Sequence, residues 1–190
     1  MKNKKWIIIG AVAAVVILLA ALFIGGYNSL VEGETEVESA WSDIEVDLQR
    51  RADLIPNLVE TVKEYKDYEQ STLTAVTEAR NAFINAKGAE EKSEAYNAMD
   101  SALSVWVNAV TEAYPELKST EQFKSLMDSL EGTENRIAYA RTEYNDEVKE
   151  YNADLRKFPK SIIAAMFGFE KAEFFNASPA ANENVTVDFD

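Results

Sequence analysis

The stretch RRADLIPNLVETVKEY, residues 50–65, carries an amphipathic helical pattern with a proline in its middle and two arginines at its start. Val37, Trp41, Ile44, Leu48, Arg51, Ile55, Leu58, Val62 and Tyr65 follow a strict 4-3 spacing, which places them on one stripe of an α-helix. The stripe passes through Pro56 without changing phase. A helix broken at proline would lose that phase, so the pattern predicts one helix over residues 27–66, bent at Pro56. There the ring removes a backbone bond and crowds the carbonyl of Ala52. Asn57 is the side chain expected to help satisfy the freed group.

Three further helices follow from the same reasoning. Residues 69–86 place Leu73, Val76 and Phe83 on one side and end at Lys87-Gly88, a good terminator. Residues 89–114 repeat the 4-3 rule with Ala95, Met99, Ala102, Trp106, Ala109 and Ala113; Glu90 and Glu91 suit the positive amino end, and Pro115 follows the last turn. The tetrapeptide STEQ, residues 119–122, has capping-box spacing. Behind it runs a long stripe of Phe123, Met127, Leu130, Glu134, Ile137, Arg141, Tyr144, Val148, Tyr151, Leu155 and Phe158, closed by Pro159. An unbroken helix over 27–86 would be about 90 Å long, more than the later helices could cover, so a break is placed near residues 66–69. The expectation is an antiparallel up-and-down four-helix bundle with long first and last helices packed in coiled-coil fashion.

Composition supports an all-α class. Seven glycines and four prolines in 190 residues leave helices favoured over strands, and 47% hydrophobic residues suffice for one core. The chain has no cysteine and no histidine, which excludes disulfides, thiolate metal sites and thiol nucleophiles along with the commonest general base and metal ligand. No cofactor is expected. A di-iron bundle would need Glu-x-x-His pairs. The glutamates at 60, 64, 69 and 78 read as a solvated helix face, and no loop motif supports calcium.

The first 26 residues set the address. After Lys2, Lys4 and Lys5 comes WIIIGAVAAVVILLAALFI, residues 6–24, uncharged and close to the roughly 20 residues that span a bilayer. A cleaved signal would carry a shorter apolar region and an A-x-A site, so a retained anchor is expected. The lysines precede the span and no Lys or Arg follows until Arg50, which predicts a single-pass protein of the bacterial cytoplasmic membrane with its amino terminus inside and the bundle outside. Without those lysines the totals are 16 basic against 33 acidic side chains, a formal charge of −17. Nucleic acid is therefore not an expected partner.

The charged residues on the apolar stripes are the informative chemistry. If the first helix starts near Leu30 and the last ends near Phe158, antiparallel partners have numbers summing to about 188. Arg51 then lies level with Ile137, a turn from Glu134, and Arg141 falls near Asp47. One reading is paired charges that set register inside the bundle; a second is a carboxylate site with Arg50, Arg51, Arg136 and Arg141 as anion binders; a third is ordinary surface exposure. Trp41 and Trp106 read as packing residues, as do the tyrosines of four Tyr-Asn dipeptides at 27, 96, 144 and 151.

Several blocks in order resemble the LemA family of bacterial membrane proteins: YN at 27, AWS at 40, RRADLIPNLVETVK at 50, VTEAR at 76, AYPELKS at 113, TENRIAYAR at 133, YN at 144 and 151, FP at 158 and GF at 168. The resemblance covers residues 27–175. It implies a single amino-terminal anchor and a helical bundle domain, and no established reaction. One branch of that family is associated with magnetosome membrane formation in magnetotactic bacteria, and nothing in this chain marks that branch.

The organisation expected is an anchor at 1–26, a bundle at 27–158, a membrane-proximal amphipathic segment at 159–175 and a flexible tail at 176–190. In the third segment Ile162, Ile163, Met166, Phe167, Phe169, Phe174 and Phe175 lie beside Lys157, Lys160 and Lys171. Ile162, Ile163, Phe167 and Phe169 are the candidates for contact with the lipid interface, the alternative being a segment folded back over the bundle base. The function expected is a membrane-anchored, non-catalytic interaction or scaffolding module of the cell envelope. Its partners would be the bilayer, proteins of unknown identity and a second copy of the chain. The alternative is an enzyme or anion-binding protein using bundle carboxylates and arginines.

Overall fold

The structure is a computed structural model that describes residues 2–63 and 70–176. It is all-helical: α1 (Lys2–Lys63), α2 (Gln70–Asn85), α3 (Gly88–Ala113), a 3-10 turn (Pro115–Ser119), α4 (Glu121–Asp154) and α5 (Lys160–Phe167). No strand occurs among the described residues. The expected break near 66–69 and the tail from 177 onward lie outside them.

α1 joins what the sequence divides in two. The apolar stretch continues through Gly25 and Gly26 into the amphipathic stripe, and Pro56 sits inside the helix. Val37, Ile44, Leu48, Arg51, Ile55, Leu58 and Val62 are buried and Trp41 half-buried, so the 4-3 stripe is the inward face. α3 is rotated from expectation. Its buried large side chains are Tyr96, Met99, Leu103, Trp106 and Val110, whereas Ala95, Ala102 and Ala109 are half-buried and Ala113 exposed. Two stripes fit the spacing equally, and the one with more apolar area wins. The α4 cap also shifts by one residue: the Thr120 hydroxyl accepts the Phe123 N–H at 3.4 Å, while the Ser119 hydroxyl donates to the Glu116 carbonyl.

The described residues form two compact units. One comprises residues up to 40 with 145–172. Here Leu30, Ile163 and Ala164 are buried together, with Tyr27, Leu155 and Phe169 packed against them. A Cβ on Gly33 would lie 3.3 Å from the Tyr151 ring, and a Cβ on Gly26 would meet Ile163 Cδ1 at 2.5 Å, so these glycines permit close approach. Lys160 donates to the Ser29 hydroxyl at 2.7 Å and is paired with Asp154, fixing the start of α5 on α1. Gly168, at φ 77°, caps α5. The backbone then runs without regular structure past Asn152, whose side-chain amide donates to the Ala172 carbonyl (2.8 Å) and accepts the Ala172 N–H (3.0 Å).

The other unit comprises, among the described residues, those of 41–144 with 173–176. Phe83 of α2 and Tyr96 of α3 meet edge to face, centroids 6.4 Å apart, and Trp41 of α1 lies 5.4 Å from Tyr144 of α4. Phe175 is buried between Trp41 and Tyr96. Its flanks are held by Tyr144, which donates to the Glu173 carbonyl at 2.7 Å, and by Ser93 and Asn97, which donate to the Asn176 carbonyl. Phe175 thus leaves the membrane-proximal group to which its sequence position assigned it.

Antiparallel pairs of α1 and α4 sum to 183–185, one turn short of the expected 188: Gly33 with Tyr151 in the first unit, and Trp41 with Tyr144, Asp47 with Arg136 and Arg51 with Glu134 in the second. The reason is local. α4 ends at Asp154, four residues before Phe158, and Phe158 is 82% exposed.

Candidate functional site

Arg51 is the most buried charged side chain among the described residues, 7% exposed. It projects from the inward stripe of α1 because leucine and isoleucine occupy the turns on either side and hold the phase. Its guanidinium is paired with Asp100 of α3, lies 3.1 Å from Glu134 of α4, and donates at 2.9 Å to the Leu130 carbonyl. The Tyr96 hydroxyl donates to the same Glu134 oxygen at 2.6 Å. Burial holds the Tyr96 phenol far above its ordinary range, with Arg51 opposing and Glu134 adding to the shift. Tyr96 is therefore a neutral donor and not a base. The Arg51 Nε lacks an acceptor, yet the other guanidinium nitrogens join three helices through two carboxylates and a carbonyl.

Beside this cluster lies an open cleft of about 380 Å³ between α1, α3 and α4. Asp128, Glu131, Glu134, Asn108 and Asn135 line it, with Leu103, Val107 and Met127 as its apolar wall. Arg51 lines it as well, its charge met by Asp100 and Glu134, and the remaining charged lining is acidic, which disfavours an anion. No group of three or more carboxylates set to hold a metal ion occurs among the described residues.

The four arginines proposed as anion binders are not gathered. Arg50 is exposed, Arg51 is taken up by carboxylates, and the Nε of Arg136 donates to Asp47 at 3.0 Å. Arg141, expected near Asp47, instead lies over the Phe175 ring, 4.8 Å from its centroid. Among the interface candidates, Ile162 and Phe167 are exposed, Phe169 is half-buried, and Ile163 is buried against α1.

Five partners escaped sequence reasoning. Asp100 and Tyr96 belong to the α3 face that the alanine spacing hid, and Arg80 of VTEAR donates to the Ala52 carbonyl at 2.8 Å, the role expected of Asn57. Asn152 and Asn97 bind the returning backbone. Their signal was present in two of the four Tyr-Asn dipeptides, at 96 and 151, in which the tyrosine packs and the adjacent amide bonds a passing main chain.

Comparison with known proteins bears on most of the chain. The pattern that defines the LemA family matches residues 40–189. Magnetosome protein MamQ 2 of Paramagnetospirillum magneticum is 28% identical over 198 residues, covering 90% of this chain and 72% of that protein. Magnetosome protein MamQ of Magnetospirillum gryphiswaldense is 28% identical over 181 residues, covering 82% and 66%. Protein LemA of Metamycoplasma hominis is 22% identical over 167 residues, covering 88% and 75%.

Proposed function

This chain is a member of the LemA family, and from that premise we propose that it is a membrane-anchored, non-catalytic helical module that binds partners in the bacterial cell envelope. The observation that carries the reading is the apolar end of α1. Side chains from Trp6 to Ile24 are exposed along an uncharged helical stretch long enough to cross a bilayer, in a chain that is otherwise strongly acidic. Exposure on that scale is stable in lipid and not in water. The lysines before the stretch favour a cytoplasmic amino terminus with the helical units outside.

The non-catalytic part rests on the Arg51 cluster, where the charged groups neutralise one another and hold helices together. The relatives' names assign no reaction, and the magnetosome named for two of them is said of those proteins. Protease added to intact spheroplasts tests anchoring and orientation together: digestion of the helical units is expected, while full protection with cytoplasmic labelling of the carboxyl terminus would overturn the topology. Crosslinking in native membranes tests the interaction reading. A chain captured with no other protein and no second copy would refute it.

A further inference from the structure

α5 has the sequence KSIIAAMF, and it is apolar on both faces. One face is accounted for: Ile163 and Ala164 are buried on α1 against Leu30 and over Gly26. The other face presents Ile162, Ala165 and Met166 to the outside; Ile162 is 53% and Met166 65% exposed, with no charge between them. A helix apolar all round belongs inside protein or inside lipid.

The contacts along α1 give the depth of α5. Lys160 bonds Ser29, Ile163 sits over Gly26, and the Phe167 ring packs at 4.9 Å on Tyr27 and 5.9 Å on Phe23. α5 therefore runs antiparallel to α1 and descends about 9 Å, six residues at 1.5 Å each, from Ser29 to Phe23. Phe23 belongs to the uncharged stretch 6–24. The lysine end of α5 is thus the end farther from the apolar stretch, and its Met166-Phe167 tip is level with the last turn of that stretch. Gly168 then turns the chain back, and Phe169 returns to Tyr27 at 5.7 Å. Tyr27, Phe167 and Phe169 make an aromatic cluster at the boundary, where amphipathic rings are favoured.

We propose that α5 is a second membrane contact: a short hairpin tip whose Ile162-Met166-Phe167 side inserts into the outer-leaflet interface beside the exit of α1, with the phospholipid acyl boundary as the occupant of its exposed face. The proposal rests on the anchor reading of α1. Lipid is the occupant because the exposed face is continuous, through Phe167 and Phe23, with a surface that the anchor reading already places in the bilayer. Lys160, pinned to Ser29 and Asp154, stands at headgroup level, as an interfacial helix requires.

The chain has no cysteine, so single cysteines can be introduced and labelled with the environment-sensitive fluorophore NBD. Full-length Met166→Cys, Val15→Cys and Glu36→Cys would be reconstituted in phosphatidylcholine–phosphatidylglycerol vesicles carrying nitroxide lipids, with the nitroxide near the headgroup or near the chain end. All three side chains are exposed, so the fold is expected to persist. The Met166 probe is expected to lose fluorescence to the shallow nitroxide more than to the deep one, the Val15 probe to the deep one, and the Glu36 probe to neither. A Met166 probe that matches Glu36 would overturn the proposal, since the face would be in water. A blue-shifted but unquenched Met166 probe would also overturn it and point to a protein, including a second copy, on that face. Loss of quenching at Met166 with quenching kept at Val15 refutes the insertion of α5 alone; loss at both refutes the anchor as well.

Discussion

Arg80 donates its Nε hydrogen to the main-chain carbonyl of Ala52, 2.8 Å away, the carbonyl that Pro56 leaves without its helical partner. Two sequence blocks separated along the chain, RRADLIPNLVETVK and VTEAR, thus share one structural task. The guanidinium also lies 3.4 Å from Asp53, so the arginine that repairs the backbone is itself oriented by charge. Arg80→Ala is expected to destabilise by about 1–2 kcal/mol, the loss from an unpaired, partly buried acceptor. In a Pro56→Ala background the restored N–H takes that carbonyl, so Arg80→Ala should cost about 1 kcal/mol less there. Urea unfolding of the four variants in detergent measures the coupling; strict additivity would refute the shared role.

Arg51 offers a second cycle. Its partners Asp100 and Glu134 keep 31% and 42% of their side-chain surface in water, which lowers the expected loss below that of a fully enclosed pair. Arg51→Ala is expected to cost about 2–3 kcal/mol, and Arg51→Lys to recover only part of it because an ammonium cannot serve two carboxylates and a carbonyl in a planar fork. Arg50→Ala, on the exposed side of the same turn, should stay within about 0.5 kcal/mol. Equal losses at the two positions would show that burial of Arg51 contributes nothing.

Close packing of α5 on α1 is testable at Gly26. A Cβ there would meet the Ile163 Cδ1 at 2.5 Å, and Ile163 has little free space. Gly26→Ala is expected to cost about 1 kcal/mol or more through overpacking, and Ile163→Val, which removes the opposing methyl, should relieve it. If Gly26→Ala is destabilising and Ile163→Val makes it worse, the contact is not the cause.

Alkaline pH should weaken the fold in a defined window. Burial pushes the Tyr144 hydroxyl up to about 12 with Glu173 adding to it, and burial pushes Tyr151 up to about 12 with Glu34 adding. A phenol whose folded value exceeds its unfolded value of about 10 favours the folded state fully below pH 10, and that stability is lost as pH rises through 12. Stability from denaturant unfolding is expected to be flat through these phenols' contribution from pH 8 to 9 and to fall between pH 10 and 12. Tyr144→Phe and Tyr151→Phe together should make the fall shallower, leaving the part that Tyr96, also raised by burial, contributes.

At the acid end, Asp154 bonds Lys157 at 2.6 Å and is paired with Lys160, and these contacts hold its carboxyl below the ordinary carboxylate range. The stability from this site is present above the unfolded value and lost as pH falls through the lower folded one. Asp154→Asn should remove that acid-limb dependence and loosen the start of α5, read as a faster amide exchange over 160–167. An unchanged acid limb would show that the lysines contribute nothing.

The all-helical class, the apolar stretch and the inward stripe of α1 were legible because they depend on periodicity within one segment, where neighbouring residues alone decide which face is apolar. The LemA blocks were legible for the same reason, as local strings. What only tertiary structure decided were choices between helices. The α3 face was ambiguous because alanines and large apolar residues share a spacing, and the packing partners Phe83 and Phe175 resolved it toward Tyr96. The register of Asp47 with Arg136 in place of Arg141 depended on where α4 stops, and that end lies in a turn where Asp154 gathers two lysines, four residues before the apolar pattern runs out. The acceptor left by Pro56 was predictable from proline chemistry, but its donor, Arg80, comes from another helix, and nothing local to Ala52 specifies it. Intrahelical periodicity is written in the order of residues, whereas partners across helices follow from helix ends, close glycine approaches and competition for buried area, which exist only once the chain has packed.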